Sequence, residues 1–160
     1  MNALVVYDSK FGNTERIARA IAGALGRGSS VRVHAVSDGP FPIDGVDLLV
    51  LGGPTQAHGM SAPMRAFLGA LPAGTLLNVR AATFDTRFHI PQVFSGSAAS
   101  TIARTIKKQG AQVVVPAESF FIGSSEGPLK EGELERAQAW ATDLLAAVGA
   151  PGQEVVAGRS

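Results

Sequence analysis

The sequence predicts an α/β fold: a doubly wound, five-stranded parallel sheet with helices on both faces. Short apolar, β-rich runs alternate with helical patterns, and no internal repeat or low-complexity block interrupts them. Runs such as "LLVLGG" and "VVVPA" are almost continuously hydrophobic, as strands covered on both faces must be. Right-handed crossovers between such strands wind them into one open sheet.

The strand-like runs are Ala3–Tyr7, Val31–Val36, Val46–Leu51, Leu76–Phe84 and Val113–Val115, the last extended or resumed through Phe120–Ile122. In the first helix Ile17, Ile21 and Leu25 recur at i, i+4 and i+8, so they stack on one face, and Asn13 or Thr14 can cap its start. The segment "SDGPFPIDG" is too short and too rich in Pro and Gly for a full helix and reads as a loop. Ser61 followed by Pro63 signals a helix start and introduces Met64, Phe67, Leu68 and Leu71. Another helix runs from near Ser97 to Gly110, with Ile102 and Ile106 inward and Lys107 and Lys108 in its last turn, where the helix dipole favours cations. The last, Glu133 to Val148, carries an apolar stripe of Leu134, Ala137, Ala141, Leu144 and Val148. Residues 1–150 therefore read as one domain, and "PGQEVVAGRS", 151–160, as a frayed, disordered tail.

Composition narrows the function. A chain of 160 residues buries about 70% of its unfolded surface, enough for a core without cross-links. It has no cysteine, which excludes disulfides, thiolate metal sites, iron–sulfur clusters and a cysteine nucleophile. A formal net charge of +1 without clustered Lys and Arg argues against a nucleic-acid partner. No apolar run reaches the ~18 residues of a membrane span and no signal-peptide pattern opens the chain, so membrane insertion is not expected and a cytoplasmic location is.

Ligands of such sheets bind at the carboxyl ends of the strands, where the loops Asp8–Thr14, Gly52–Met60 and Asp85–Gly96 fall. In the first loop several backbone N–H groups at a helix start lack partners, the macrodipole favours negative charge, and Ser9, Asn13 and Thr14 add side-chain donors. Gly12 permits close approach of a ligand to the backbone. These are the properties of a phosphate cradle; a plain helix cap needs only one hydroxyl or amide side chain. G-x-x-x-x-G-K-[ST] and G-x-G-x-x-G are both absent, so nucleoside triphosphate and NAD roles lose their support.

Val5, Val6, Tyr7, Ser9, Gly12, Thr14, Ala18 and Ile21 stand in the register of the flavodoxin signature, which the segment resembles. "GGPTQAHGMSAPMRAFL", Gly52 to Leu68, is similar to the flavin-contacting loop of that superfamily. Its Pro-Thr, Gly-Met-Ser and Met-Arg-x-Phe-Leu elements resemble those of tryptophan-repressor-binding-protein-like quinone reductases. The resemblance spans about Met1 to Val148 and implies a flavodoxin-like, short-chain domain, with strand order 2-1-3-4-5, that binds FMN. It places the FMN phosphate on Ser9, Lys10, Phe11, Gly12, Asn13 and Thr14. It has the isoalloxazine ring bordered by Pro54, Thr55, Gln56, Ala57, His58 and Gly59 and by Phe84, Asp85, Thr86 and Arg87. Electron transfer, or FMN-dependent reduction of an acceptor such as a quinone, is the implied activity, with a partner protein or a small molecule as acceptor. No catalytic acid or nucleophile and no metal site is implied.

The chain departs from the family pattern in places. Phe11 stands where many flavodoxins carry a second hydroxyl; the single Trp, Trp140, falls in the last helix and the single Tyr, Tyr7, ends the first strand. The ring-flanking aromatics of those flavodoxins are thus missing, and His58, Phe88, His89 and Phe94 are the candidates to replace them. Electron-carrier flavodoxins are strongly acidic, a steering bias this chain lacks. Lys10 or Arg87 close to the ring would attract a reduced, anionic flavin and suit two-electron chemistry better than a very low-potential shuttle. Arg87 has a second reading, a structural ion pair with Asp85 or another carboxylate, and His34, alternating outward on its strand, reads as a surface or helix-packing residue. A phosphoacceptor receiver domain shares the strand order, but its acceptor Asp would end the third strand, where Leu51, Gly52 and Gly53 stand. The alternative that stays open is a flavodoxin-fold interaction or regulatory module that has lost tight FMN binding.

Overall fold

The strand β1 (Asn2–Tyr7) shows why its sequence is apolar throughout: Ala3, Val5 and Tyr7 enter one core, Leu4 and Val6 the other. A computed structural model of the chain describes residues 1–149, so the expected tail 151–160 and the last residue of the expected domain lie outside the described residues. After β1 come α1 (Asn13–Leu25), β2 (Ser30–Ala35), β3 (Leu48–Pro54), α2 (Ala62–Ala70), β4 (Arg80–Phe88), the single turn α3 (Gln92–Ser95), α4 (Ala98–Lys108), β5 (Gln112–Val113), β6 (Glu118–Ile122) and α5 (Glu133–Val148). The sheet runs β2-β1-β3-β4-β5, with β6 also paired to β4, and every pairing is parallel.

α1 and α5 cover one face, against Val5, Leu48, Val50 and Phe84; α2 and α4 cover the other, against Leu4, Val6, Leu49 and Leu51. The doubly wound expectation therefore holds. β5 and β6 are one interrupted strand: Val114 still donates to Ala81, but Pro116 has no N–H to give, and pairing resumes at Glu118 opposite Phe84. "SDGPFPIDG" forms a 3-10 turn at Val36–Asp38 and then a loop, whose Phe41 stacks on Phe67 of α2 at 5.4 Å. His34 packs against Phe41 and bonds the Gly39 carbonyl, as a packing residue would.

Two strand expectations shift. The third strand begins at Leu48 and continues to Pro54, beyond the expected Val46–Leu51. The fourth begins at Arg80, because Leu76–Val79 form turns in which Asn78 takes φ 62. Leu76 is nevertheless buried, so its apolar character marks the core and not a strand. Ser61 and Ser97 cap α2 and α4, accepting from the amides of Met64 and Ser100. For α1 the expectation fails: its cap is Gly12, at φ 92, and neither Asn13 nor Thr14 caps it.

Candidate functional site

The loop after β1 is folded around Ser9. Its Oγ accepts from the amides of Gly12 (3.1 Å) and Glu15 (3.3 Å), pulling the chain through the left-handed turn at Gly12 that only a residue without Cβ adopts freely. The amides of Lys10, Phe11, Asn13 and Thr14 find no acceptor among the described residues. A Cβ on Gly12 would meet nothing within 4 Å, so the space above the turn is open. Asn13 turns away and donates to the Glu126 carbonyl at 3.0 Å, tying this loop to the one before α5. Thr14 and Thr86 are both 2% exposed and share one hydrogen bond of 2.9 Å between their hydroxyls. One hydroxyl of such a pair donates to the other, so the second proton is left to point elsewhere.

The loop after β3 is a tight turn. Gln56 and Gly59 exchange both backbone hydrogen bonds, and Ala57 and His58 between them take φ 46 and φ 70. Two side-chain-bearing residues in the left-handed region cost of order 1–3 kcal/mol each, strain that collects at binding sites. The turn is held from below. Thr55 donates its amide to Thr86 and accepts from Ala98, Met60 donates to Thr101, and His58 bridges to Gly96. A Cβ on Gly96 would lie 2.1 Å from the His58 carbonyl oxygen, so glycine is required where the second and third loops meet.

Between these loops and the end of β4 opens a cleft of about 430 Å³, within the ~300–1,000 Å³ usual for small-molecule sites. It gathers Lys10, Phe11, Pro54, Thr55, Gln56, Ala57, His58, Thr86 and Arg87. Phe88 and Phe94 also line it, as the sequence allowed, together with Ile90, Ser95, Ile122 and Ser125, which the sequence reading missed. Their common signal is position: each lies at or just beyond the carboxyl end of β4 or β6. A cavity of about 540 Å³ lies at the opposite edge, between Met1, Asn78, Arg80 and Val148, away from the carboxyl ends of the strands.

Other expected residues stand outside the cleft. Phe84 lies across Gly52, where a Cβ would be 2.1 Å from its ring, and packs edge-on against Phe120 and Trp140. Trp140 is therefore a core residue. Asp85 is wholly buried and points at α4, accepting from Ser97 Oγ (2.6 Å) and the Ala99 amide (3.0 Å). Burial pushes its carboxyl above the ordinary range, against the pull of those bonds and of Arg87. Phe84 and Asp85 can reach a ligand only through their backbone. His89 stacks on Phe121 at 4.1 Å and does not line the cleft. Ser9, Gly12, Asn13, Thr14 and Gly59 shape its floor and rim without lining it. Lys10 lies over the Phe11 ring at 5.4 Å, and the Arg87 Nε stands 4.0 Å from Asp85 Oδ1, so the ion pair read from the sequence is present. No helix among the described residues is long and apolar enough to cross a membrane.

No protein-family model and no curated protein sequence matches the chain. Solved structures do. A flavodoxin from the domain Archaea superposes with a TM-score of 0.77 at 23% identity, over 94% of this chain and 100% of that one. Flavodoxin 1 from Bacillus cereus gives 0.77 at 21%, over 91% and 98%. A flavodoxin, WrbA-like protein from Agrobacterium tumefaciens gives 0.71 at 19%, over 92% and 96%. At these identities the likeness is one of fold, and it agrees with the strand order and helix placement: the chain adopts the flavodoxin-like fold.

Proposed function

We propose that this protein binds FMN non-covalently at the carboxyl edge of its sheet and serves as a redox protein. The observation that carries the reading is the first loop: free amides at residues 10, 11, 13 and 14 surround an open left-handed glycine at the start of α1. Donors, dipole and backbone access together fit a phosphomonoester. The buried Thr14–Thr86 pair, with one proton to spare, adds a donor beneath that loop. The adjoining cleft fits a flat ring in volume and lining, with apolar walls from Phe11, Phe88, Ile90 and Phe94.

In this reading Ser9 to Thr14 hold the phosphate, Ser9 by folding the loop, Gly12 by the open turn it allows, and Lys10, Phe11, Asn13 and Thr14 by their amides. The strained turn Gln56–Gly59 and the β4 end at Thr86–Arg87 border the ring, and the backbone of Phe84 and Asp85 supports that border. Bound FMN supplies the electron- or hydride-accepting ring, while the protein fixes its orientation and shields it from water. Acceptors of the quinone class, or a partner protein, suit a cleft whose mouth is apolar and whose charged lining is Lys10 and Arg87. A cytoplasmic setting follows from the same reading. A second reading, a binding module without flavin, draws on the exposed Phe11, Phe88, Ile90, Val93 and Phe94 around the mouth.

The pair Ser9→Ala and Thr14→Ala tests the assignment. Loss of the loop's organising oxygen and of the hydroxyl pair should weaken FMN binding by ~1 to 3 kcal/mol, read by absorbance titration. Unchanged affinity would place the phosphate elsewhere.

A further inference from the structure

Residues 88–95 form the outer wall of the cleft, yet burial does not hold them. Phe88, Ile90, Val93 and Phe94 are all exposed, Val93 by 83% and Phe94 by 68%, and the segment's regular structure is the single turn α3. Beyond the stack of His89 on Phe121 and one hydrogen bond from Gln92 to Ser100, what holds it is the side chain of Arg87, itself only 11% exposed. One terminal guanidinium nitrogen donates to the carbonyls of Phe88 (3.3 Å) and Ile90 (2.8 Å) and to Ser95 Oγ (3.1 Å). Nε donates to Ser119 Oγ on β6 at 2.9 Å, and the group lies over the Phe121 ring at 5.3 Å. The same guanidinium thus grips both ends of the wall and the neighbouring strand.

Its charge has a counterpart below. Asp85 Oδ1 is buried without a hydrogen-bond partner, 4.0 Å from Arg87 Nε, while Oδ2 is fixed to the start of α4 through Ser97 and Ala99. A guanidinium paired in this way offers less to a ligand's anion than its position at the cleft suggests.

We propose that Arg87 is a positioning residue: its planar fork, anchored on Asp85 and β6, sets the 88–95 segment as the cleft's outer wall, and it does not bind the ligand phosphate. The inference rests on the FMN reading for what the wall faces, but not for how the wall is held. Arg87→Lys keeps a cation beside Asp85 and loses the fork; Arg87→Met removes both.

Amide hydrogen exchange of the apo-protein tests the first half. In Arg87→Lys, exchange across 88–96 should rise at least about tenfold while β1 and β3 stay protected. Titration with FMN and riboflavin tests the second. Both affinities should fall by the same factor, about tenfold, leaving their ratio unchanged. Unaltered exchange in 88–96 would overturn the proposal, as would loss of FMN binding with riboflavin binding intact. Wild-type protein that binds neither flavin would refute the FMN reading alone, and the exchange comparison would still decide the role of Arg87.

Discussion

Replacing Gly96 by alanine perturbs the junction of the loops that frame the cleft. The new Cβ would lie 2.1 Å from the carbonyl oxygen of His58 and 2.5 Å from its carbonyl carbon and Cα. All of these are backbone atoms in a turn already at φ 46 and 70, so no side chain can swing aside, and relief needs a backbone shift of over about 1 Å. Gly96 is itself at φ 70, where alanine costs ~1 kcal/mol more than glycine. Overpacking against fixed backbone adds ~1 to 3 kcal/mol. The sum, about 2 to 4 kcal/mol, leaves a domain of ordinary stability folded. At ~2 to 4 °C per kcal/mol for this chain length, Tm should fall by about 5 to 15 °C. Thermal unfolding followed by circular dichroism measures it on the apo-protein. A Tm within ~1 °C of wild type, with unchanged amide exchange at residues 56–59, would refute the claim that these loops are locked backbone to backbone.

Two other perturbations separate the first loop from the junction of α5 with β6. Gly12→Ala meets no neighbour within 4 Å but sits at φ 92, so it should cost only ~1 kcal/mol of stability, while FMN affinity, followed by titration, falls tenfold or more. Equal and small effects on both would show a mere helix cap. Glu133 accepts from Arg136 at 3.0 and 2.7 Å and from the Phe121 amide at 2.7 Å. Burial pushes its carboxyl up, but those bonds outweigh it and hold the folded pKa below the ordinary range. The stability it contributes is therefore full above the unfolded value of about 4.3 and disappears as pH falls through the lower folded value. Glu133→Gln should lower Tm at pH 7 and lose that deficit in acid; a deficit constant from pH 7 to pH 3 would contradict the assignment.

The sheet and its two helical layers were legible because β1 and β3 are apolar toward both cores and α1 repeats its apolar residues every fourth position, while the strand order came with the family resemblance. The same rule misplaced the start of β4, since Leu76 is buried from within a turn. In the first loop the turn at Gly12 was legible from its glycine, but the wiring of the neighbouring hydroxyl and amide side chains was not. Thr14 with Thr86, and Asn13 with Glu126, are partners 72 and 113 residues apart that no local pattern reveals. Phe84 and Asp85 stand at the right edge of the sheet, yet the bare Gly52 beside Phe84 and the start of α4 beside Asp85 draw their side chains into the core. The outer wall was legible only in part: Phe88 and Phe94 stood among the aromatic candidates, but the exposed Ile90 and Val93 carry no period, and Arg87 holds the segment through the carbonyls of Phe88 and Ile90, which sequence does not encode.

The central claim is that the first loop is a phosphate cradle serving a flavin. Absorbance titration of the apo-protein with FMN, beside riboflavin as the phosphate-free control, tests it most directly. A cradle of this kind gives saturable FMN binding and riboflavin binding at least about tenfold weaker, the difference being the charge-assisted hydrogen bonds of the loop. Equal affinities would contradict the cradle, and no binding of either flavin up to high micromolar concentration would contradict the flavin reading itself.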